Sequence, residues 1–378
     1  MPGGLREMLQ AYVDKGVLPG AVAVVSRGDR TETVAVGAMA IGGAPMTPDA
    51  LFRIASITKP ITAAAVMCLV DDGRIALDDP VGRWLPELAD PVVVRTPDGP
   101  VDDVVPAERP ITVLDLLTAR AGYGFPSDFA APAVRALAEV QRDGRQPRAF
   151  PPPDEWMARL ARVPLLYQPG EAWLYDTCST LQGVLISRVS GRSLPDFLAE
   201  RLFTPLGMTD TGFAVPPADR DRFTTYYTAT LELADRPDGQ WSSLPDFPLG
   251  NGGLVSTAAD WLAFGRMLLA GGTTSDGRRV LSAGAVRRMT TDNTTARHRA
   301  IADLFLQGQG WGFGGGVDIS ATDAGTVPGR YGWVGGTGTS AYVTPSTGTV
   351  AVLLTQVGLD GPVTPGHLHD FWRYAARP

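Results

Sequence analysis

Apolar positions cluster in GAVAVVSRGDRTETVAVG (20–37) as two β-rich runs around a polar turn, which predicts a hairpin. The pattern then changes. From Ser56 to Asp72 the interior is rich in Ala, Met and Leu, and DDG (71–73) closes it, which predicts a helix. Pro60 has no N–H and its ring clashes with the preceding turn, so it cannot sit mid-helix. The helix therefore starts at about Ser56, and Ser56 and Lys59 fall in its first turn.

From about 79 to 245 the chain is rich in proline and in short helical patterns. ITVLDLLTARAG (111–122) reads as one helix. Thr180 to Ser190 reads as another, with Leu181, Val184, Leu185 and Val189 on one face and Gly191 as its stop. SLPDFLAERLF (193–203) opens with Ser193 as N-cap and Pro195 in the first turn. RTPDGP (95–100) and PPPDEW (151–156) read as loops. After 250, STAADWLAFGRMLLAGG (256–272) is a capped helix, with Thr257 and Asp260 resembling a capping box and Gly271 ending it. TSAYVTPSTGTVAVLLTQV (339–357) is a second hairpin, turning at Pro345 to Gly348. Strands at both ends and helices between predict an α/β (α+β), two-domain fold. Residues 1–78 and 246–378 would form an antiparallel sheet flanked by helices, and 79–245 a mostly helical insertion, with the active site in the cleft between them.

Composition narrows the classes. The chain has 378 residues, a formal charge of −7 and scattered arginines, so no basic surface for nucleic acid is expected. RHR (297–299) is the densest cluster and fits solvated surface. The first sixteen residues lack an apolar h-region, and ITAAAVMCLV (61–70) is half a membrane span, so a soluble cytoplasmic protein without membrane contact is expected. Cys68 and Cys178 show no metal-ligand spacing and fit free thiols. With no H-E-x-x-H, Cys/His cluster or carboxylate pair of ligand spacing, neither metal nor cofactor is implied. GQGWGFGGG (308–316) lacks the P-loop pattern and reads as a strand entry.

Lysine use points to chemistry. Of 33 Lys and Arg, only Lys15 and Lys59 are lysine, and Lys59 follows Ser56 by three. A serine hydroxyl needs a group to take its proton. His298, His367 and His369 are the only histidines and no G-x-S-x-G exists, so a Ser-His-Asp arrangement has little to rest on. Ser-x-x-Lys offers another route, since positions i and i+3 share a helix face. The helix dipole and burial would lower the lysine pKa, and arginine could not serve because it stays protonated. A capped helix with an incidental lysine fits the motif too. Tyr175 precedes a helix and could be a general base beside a cation, and the glycine-rich stretch 326–345 could present a backbone N–H to an oxyanion. Singly, packing and turn formation explain each of these as well.

Together and in this order, these segments resemble the serine β-lactamase-like hydrolases: class C β-lactamases, D-Ala-D-Ala peptidases and, nearest, family VIII carboxylesterases. The likeness runs from PGAVAVVSRGD (19–29) to the last hairpin, through LFRIASITKPITAAAV (51–66), ALDDPVGRWLPE (76–87), FTPLGMTDTGF (203–213) and GGLVSTAADWLAFGRMLL (252–269). It implies Ser56 as acylated nucleophile, Lys59 as holder of the proton network and Tyr175 as general base. The third motif, Lys-Thr-Gly in β-lactamases, falls on Trp333, Val334 and Gly335, and the oxyanion hole on the N–H groups of Ser56 and Gly336. Trp333 stands where a cation would bind a substrate carboxylate, and Thr177 stands where Tyr-x-Asn has its amide. Both departures match the carboxylesterase branch. The usual Thr-His-Thr-Ser is here Thr-Ala-Arg-Ala (118–121).

The expected activity is hydrolysis of a small carboxylic ester through an acyl-enzyme. Trp333, Gly335, Tyr123, Thr177, Trp311 and Phe313 would line the substrate pocket, although ordinary core packing also accounts for the aromatics. Acyl transfer to a metabolite, weak β-lactamase or amide hydrolysis, and a slowly acylated sensor are the competing readings.

Overall fold

The computed structural model describes residues 3–361 and 363–377, so the first two residues and the last of the expected α/β domain lie outside the described residues. Its centre is a seven-stranded antiparallel sheet. In chain order the strands are β1 (Gly20–Arg27), β2 (Arg30–Gly37), β3 (Gly310–Trp311), β4 (Gly316–Val317), β5 (Tyr331–Gly335), β6 (Thr339–Thr344) and β7 (Thr349–Thr355). They lie in the order β2-β1-β7-β6-β5-β4-β3. The two hairpins read from β-rich runs and their turns are therefore joined at β1–β7, where Ala21 faces Thr355.

Alternation along β1 sends its side chains to opposite faces. Ala21, Ala23 and Val25 pack with Leu5, Leu9, Leu368 and Phe371 of two terminal helices, α1 (Leu5–Asp14) and α5 (Gly366–Ala375). Val22 and Val24 join the main core with α2 (Lys59–Asp71) and α4 (Ala258–Leu269). Neither terminal helix was evident in the pattern read above. That same main core takes in Val81, Leu116, Trp156 and Leu185, so the 79–245 segment packs onto it. Among the described residues no helix is long and apolar enough to cross a membrane. The apolar run 61–70 is instead the interior of α2, buried along nearly all its length.

Several local expectations need correction. Ser56 lies in a 3₁₀ turn, Ala55–Thr58, and the α-helix starts at Lys59 with Pro60 in its first turn. Residues three apart eclipse in a 3₁₀ turn, which still sets Lys59 beside Ser56. The 111–122 helix is only Val113–Leu117, because Ala119 turns left-handed at φ 57° and frees its carbonyl for Leu174 N–H. PPPDEW is not a loop throughout: Pro153–Leu160 is a helix, whose first turn needs no N–H from proline. The 193–203 helix ends at Leu198 and continues as a π turn through Phe203. Asp260 completes only half of a capping box: its N–H reaches Thr257, while its carboxylate accepts from Asp210 N–H and Thr211.

Candidate active site

The segment before Ser56 is fastened to the end of the sheet. Thr337 Oγ1 donates to Arg53 O at 2.6 Å and Thr339 Oγ1 to Ile54 O at 2.9 Å. A Cβ on Gly335 would lie 2.1 Å from Thr339 Oγ1 and 2.5 Å from Ile54 O, so this approach requires glycine. Ala55 then adopts φ 45°, a strained conformation for a residue with a side chain, and delivers Ser56 to the cleft.

Tyr175 arrives from the other side. Its backbone N–H and C=O exchange hydrogen bonds with Phe125, and Phe305 stacks on its ring at 4.6 Å. The hydroxyl donates to Ser56 Oγ at 2.8 Å and accepts from Trp333 Nε1 at 3.0 Å. Lys59 Nζ donates to Ser56 Oγ at 2.9 Å, to Asp176 Oδ1 at 2.8 Å and to Asn251 O at 2.7 Å, and lies 4.7 Å from the Tyr175 ring centre. Ser56, Lys59, Tyr175 and Trp333 thus converge on one point.

Lys59 departs from the expected electrostatics. Burial is the largest influence and pushes its pKa down, but the charges of Asp176 and Tyr175 and their hydrogen bonds outweigh it, and the net shift is upward. The lysine is an ammonium whose three N–H groups all have acceptors. Asp176 holds it from φ 81°, just ahead of α3 (Thr177–Ser190), and its other oxygen accepts from Gln141 Nε2 at 2.9 Å and Asn251 Nδ2 at 2.8 Å.

A cleft of two lobes opens around this cluster. The narrower, about 320 Å³, is lined by Ser56, Gln141, Asn251, Gly252 and Thr337. The wider, about 380 Å³, is lined by Trp333, Val334, Tyr342, Leu359 and Trp372. Tyr175, Gly336, Phe129, Phe305 and Arg145 line both.

The other expected pocket residues are placed differently. Gly335 shapes the approach to Ser56 through its backbone. Trp311 is buried behind Trp333, edge to face at 4.8 Å. Phe313 is core, and its carbonyl accepts from Tyr331. Tyr123 is buried, with its hydroxyl turned to Val163 O at 3.0 Å. Thr177 is buried at the start of α3, and the place beside Lys59 belongs to Asp176. Cys68 and Cys178 are free, buried thiols, both pushed up to about 12 by burial. Asp176, Asn251, Gln141, Phe305 and Phe129 were missed as site residues. Only Asp176 carried a signal, its place next to Tyr175.

A family model described as Beta-lactamase matches residues 5–366. The chain belongs to the beta-lactamase family. Protein Rv1367c of Mycobacterium tuberculosis is 38% identical, over 93% of this chain and 89% of its own. Esterase EstB of Burkholderia gladioli is 34% identical, over 95% and 93%. The fold is shared with EstCE1, a hydrolase with promiscuous acyltransferase activity, at a TM-score of 0.80 and 24% identity, over 98% of this chain and 96% of that one. The family is one of serine hydrolases that includes esterases and acyltransferases.

Proposed function

We propose that the protein is a serine carboxylesterase that works through an acyl-enzyme on Ser56. The observation that carries this reading is the placement of Ser56 Oγ 2.8 Å from the Tyr175 hydroxyl and 2.9 Å from Lys59 Nζ. Ser56 Oγ attacks the ester carbonyl. Its proton passes to Tyr175 acting in its phenolate form, because the Lys59 ammonium has no lone pair to receive it. The ammonium favours the phenolate form of Tyr175 in that step, and the Trp333 indole N–H adds a neutral donor. The carbonyl oxygen takes its developing charge to the N–H groups of Ser56 and Gly336. Tyr175 then protonates the departing alcohol, and water resolves the acyl-enzyme by the reverse path. Trp333 offers an apolar wall and no charge to a substrate carboxylate, which favours neutral esters over β-lactams, and the likeness to Esterase EstB points the same way.

The test is p-nitrophenyl butyrate hydrolysis by wild type, Ser56→Ala and Tyr175→Phe, with intact mass after brief exposure. Turnover by wild type, loss of at least about a thousandfold in both variants, and one transient acyl group on wild type are expected. Full activity in Ser56→Ala overturns the assignment. Nitrocefin turnover faster than ester turnover overturns the ester preference.

A further inference from the structure

We infer that the wider lobe binds the alcohol half of the ester, and that Arg330 binds a neutral oxygen at the far end of that alcohol. This rests on the ester-cleaving reading above. Ser56 lines only the narrower lobe and Trp333 only the wider one. The Tyr175 hydroxyl lies between them and is bonded to both. An alcohol oxygen that takes its proton from Tyr175 leaves on the Trp333 side. Its carbon body then enters the wider lobe, while the acyl carbons stay in the lobe that holds Ser56.

The walls of the wider lobe next to Tyr175 are apolar, formed by Trp333, Val334, Phe305 and Leu359. Its remote end is polar. Arg330 immediately precedes β5 and Gly335 ends that strand, so roughly 16 Å of extended chain separates them. Arg330 is only 5% exposed. Its Nε donates to Asp318 Oδ2 at 2.7 Å and its Nη2 to Asp318 Oδ1 at 3.4 Å. Gln309 Nε2 also donates to that Oδ1, at 2.7 Å, and so fixes the carboxylate. The guanidinium lies over the rings of Tyr342 at 4.2 Å and Trp372 at 5.1 Å. Among the described residues its Nη1 makes no hydrogen bond. An N–H that lines the lobe on a guanidinium fixed in this way is a preformed donor. Asp318 already balances the charge, so a ketone, ether or lactone oxygen suits it better than an anion.

The alcohol therefore has an extended apolar body and a remote oxygen acceptor. In acylation the Ser56 Oγ–carbon bond forms, the carbon–oxygen bond to the alcohol breaks, and the serine proton reaches the departing oxygen through Tyr175. A second alcohol of the same kind can enter the emptied lobe and reverse each step. Its proton passes through Tyr175 back to Ser56 Oγ as the new ester forms, in competition with water.

The test crosses two sets of esters with variants outside the catalytic cluster. Leu359→Trp narrows the wider lobe. Gly144→Leu narrows the other, where an added Cβ meets only Asn251 Nδ2, at 3.7 Å. Butyrates of methanol, benzyl alcohol and naphthylmethanol vary the alcohol, and p-nitrophenyl acetate to octanoate vary the acyl chain. Leu359→Trp should cut kcat/KM for the naphthylmethyl ester about tenfold relative to methyl butyrate and leave the acyl-length profile unchanged, with Gly144→Leu doing the converse. Wild type should also prefer a naphthylmethyl ester with a remote acetyl group about tenfold over one without. Arg330→Met with Asp318→Asn, paired so that no lone charge stays buried, should lose that preference and keep methyl butyrate turnover. An acyl-length profile changed by Leu359→Trp, or no preference for the acetyl group in wild type, overturns the assignment. Absence of any Ser56-dependent hydrolysis instead overturns the ester reading beneath it. If the paired variant does not fold, the two lobe variants and the wild-type preference still decide.

Discussion

Trp333 Nε1 donates to the hydroxyl oxygen of Tyr175 over 3.0 Å, while that hydroxyl donates to Ser56 Oγ over 2.8 Å. The indole thus touches the group proposed to carry the proton. It can favour a phenolate without bringing a charge that would also attract a substrate carboxylate. Trp333→Phe keeps the apolar wall and deletes this one donor. It should lower kcat for p-nitrophenyl butyrate about tenfold, with KM within about twofold, as expected for a hydrogen bond that strengthens when its acceptor ionises. A rise in KM alone would assign Trp333 to substrate packing only.

Asp176 makes Lys59 harder to deprotonate against the opposing influence of burial. A raised folded-state pKa means that the stability from this pair is complete below the ordinary lysine value and is lost as pH rises through the higher, folded one. Asp176→Asn keeps the shape and removes the charge, so the alkaline limb of the kcat/KM profile should move to lower pH. The other charged side chains around this lobe, Arg142, Asp143 and Arg145, stay in place in that comparison. Asp176→Ala should also cost about 3 kcal/mol in urea unfolding, because it leaves a buried ammonium without its counter-charge. An unmoved alkaline limb in Asp176→Asn would reduce Asp176 to an anchor.

Arg53 opens the segment that carries Ser56, and its guanidinium is buried against Phe223 at 3.9 Å. Nε and Nη2 donate to Asp235 Oδ2 at 2.8 and 2.6 Å, and Nη1 to Thr224 O at 2.6 Å. Asp235→Ala should destabilise the protein by about 3 kcal/mol, whereas Arg53→Met with Asp235→Leu should recover much of the loss. Chemical denaturation of the three proteins checks this, and a paired variant no better than Asp235→Ala would contradict it.

His367 is buried in α5, where among the described residues neither ring nitrogen has a hydrogen-bond partner, and burial lowers its pKa to about 4. Between that value and the ordinary 6.5 the unfolded chain binds the proton more readily, so stability falls as pH falls through this window. The full effect is about 3 kcal/mol. His367→Leu should therefore flatten the decline in Tm between pH 6.5 and 4.5, and an equally steep decline would exclude His367 as its source.

The hairpins 20–37 and 339–357 were legible because β-rich runs on either side of a short turn specify paired strands. Ser56, Lys59 and Tyr175 were legible as ordered motifs, and the structure brings them together. What escaped depends on distant geometry. Nothing local to Asp176 shows that φ 81° will turn its carboxylate onto a lysine 117 positions earlier. Asn251 meets Lys59 through its backbone carbonyl, which any residue would supply. Phe305 reaches Tyr175 from a four-residue helix without a periodic pattern of its own. The lysine pKa was misjudged for the same reason: burial was anticipated, its counter-charge was not.

The pairing of Ala21 with Thr355 also governs how the molecule is made. During synthesis β1 and β2 emerge long before β7, so the edge of β1 that meets β7 must wait until the whole intervening segment has left the ribosome. Until then an apolar strand edge is open to other chains, and α1 has no complete surface to cover. Such long-range closure slows folding and lengthens exposure to aggregation. A ribosome stalled just before β7 would therefore hold a nascent chain with every proposed catalytic side chain already present and without the strand that joins β1 to β6.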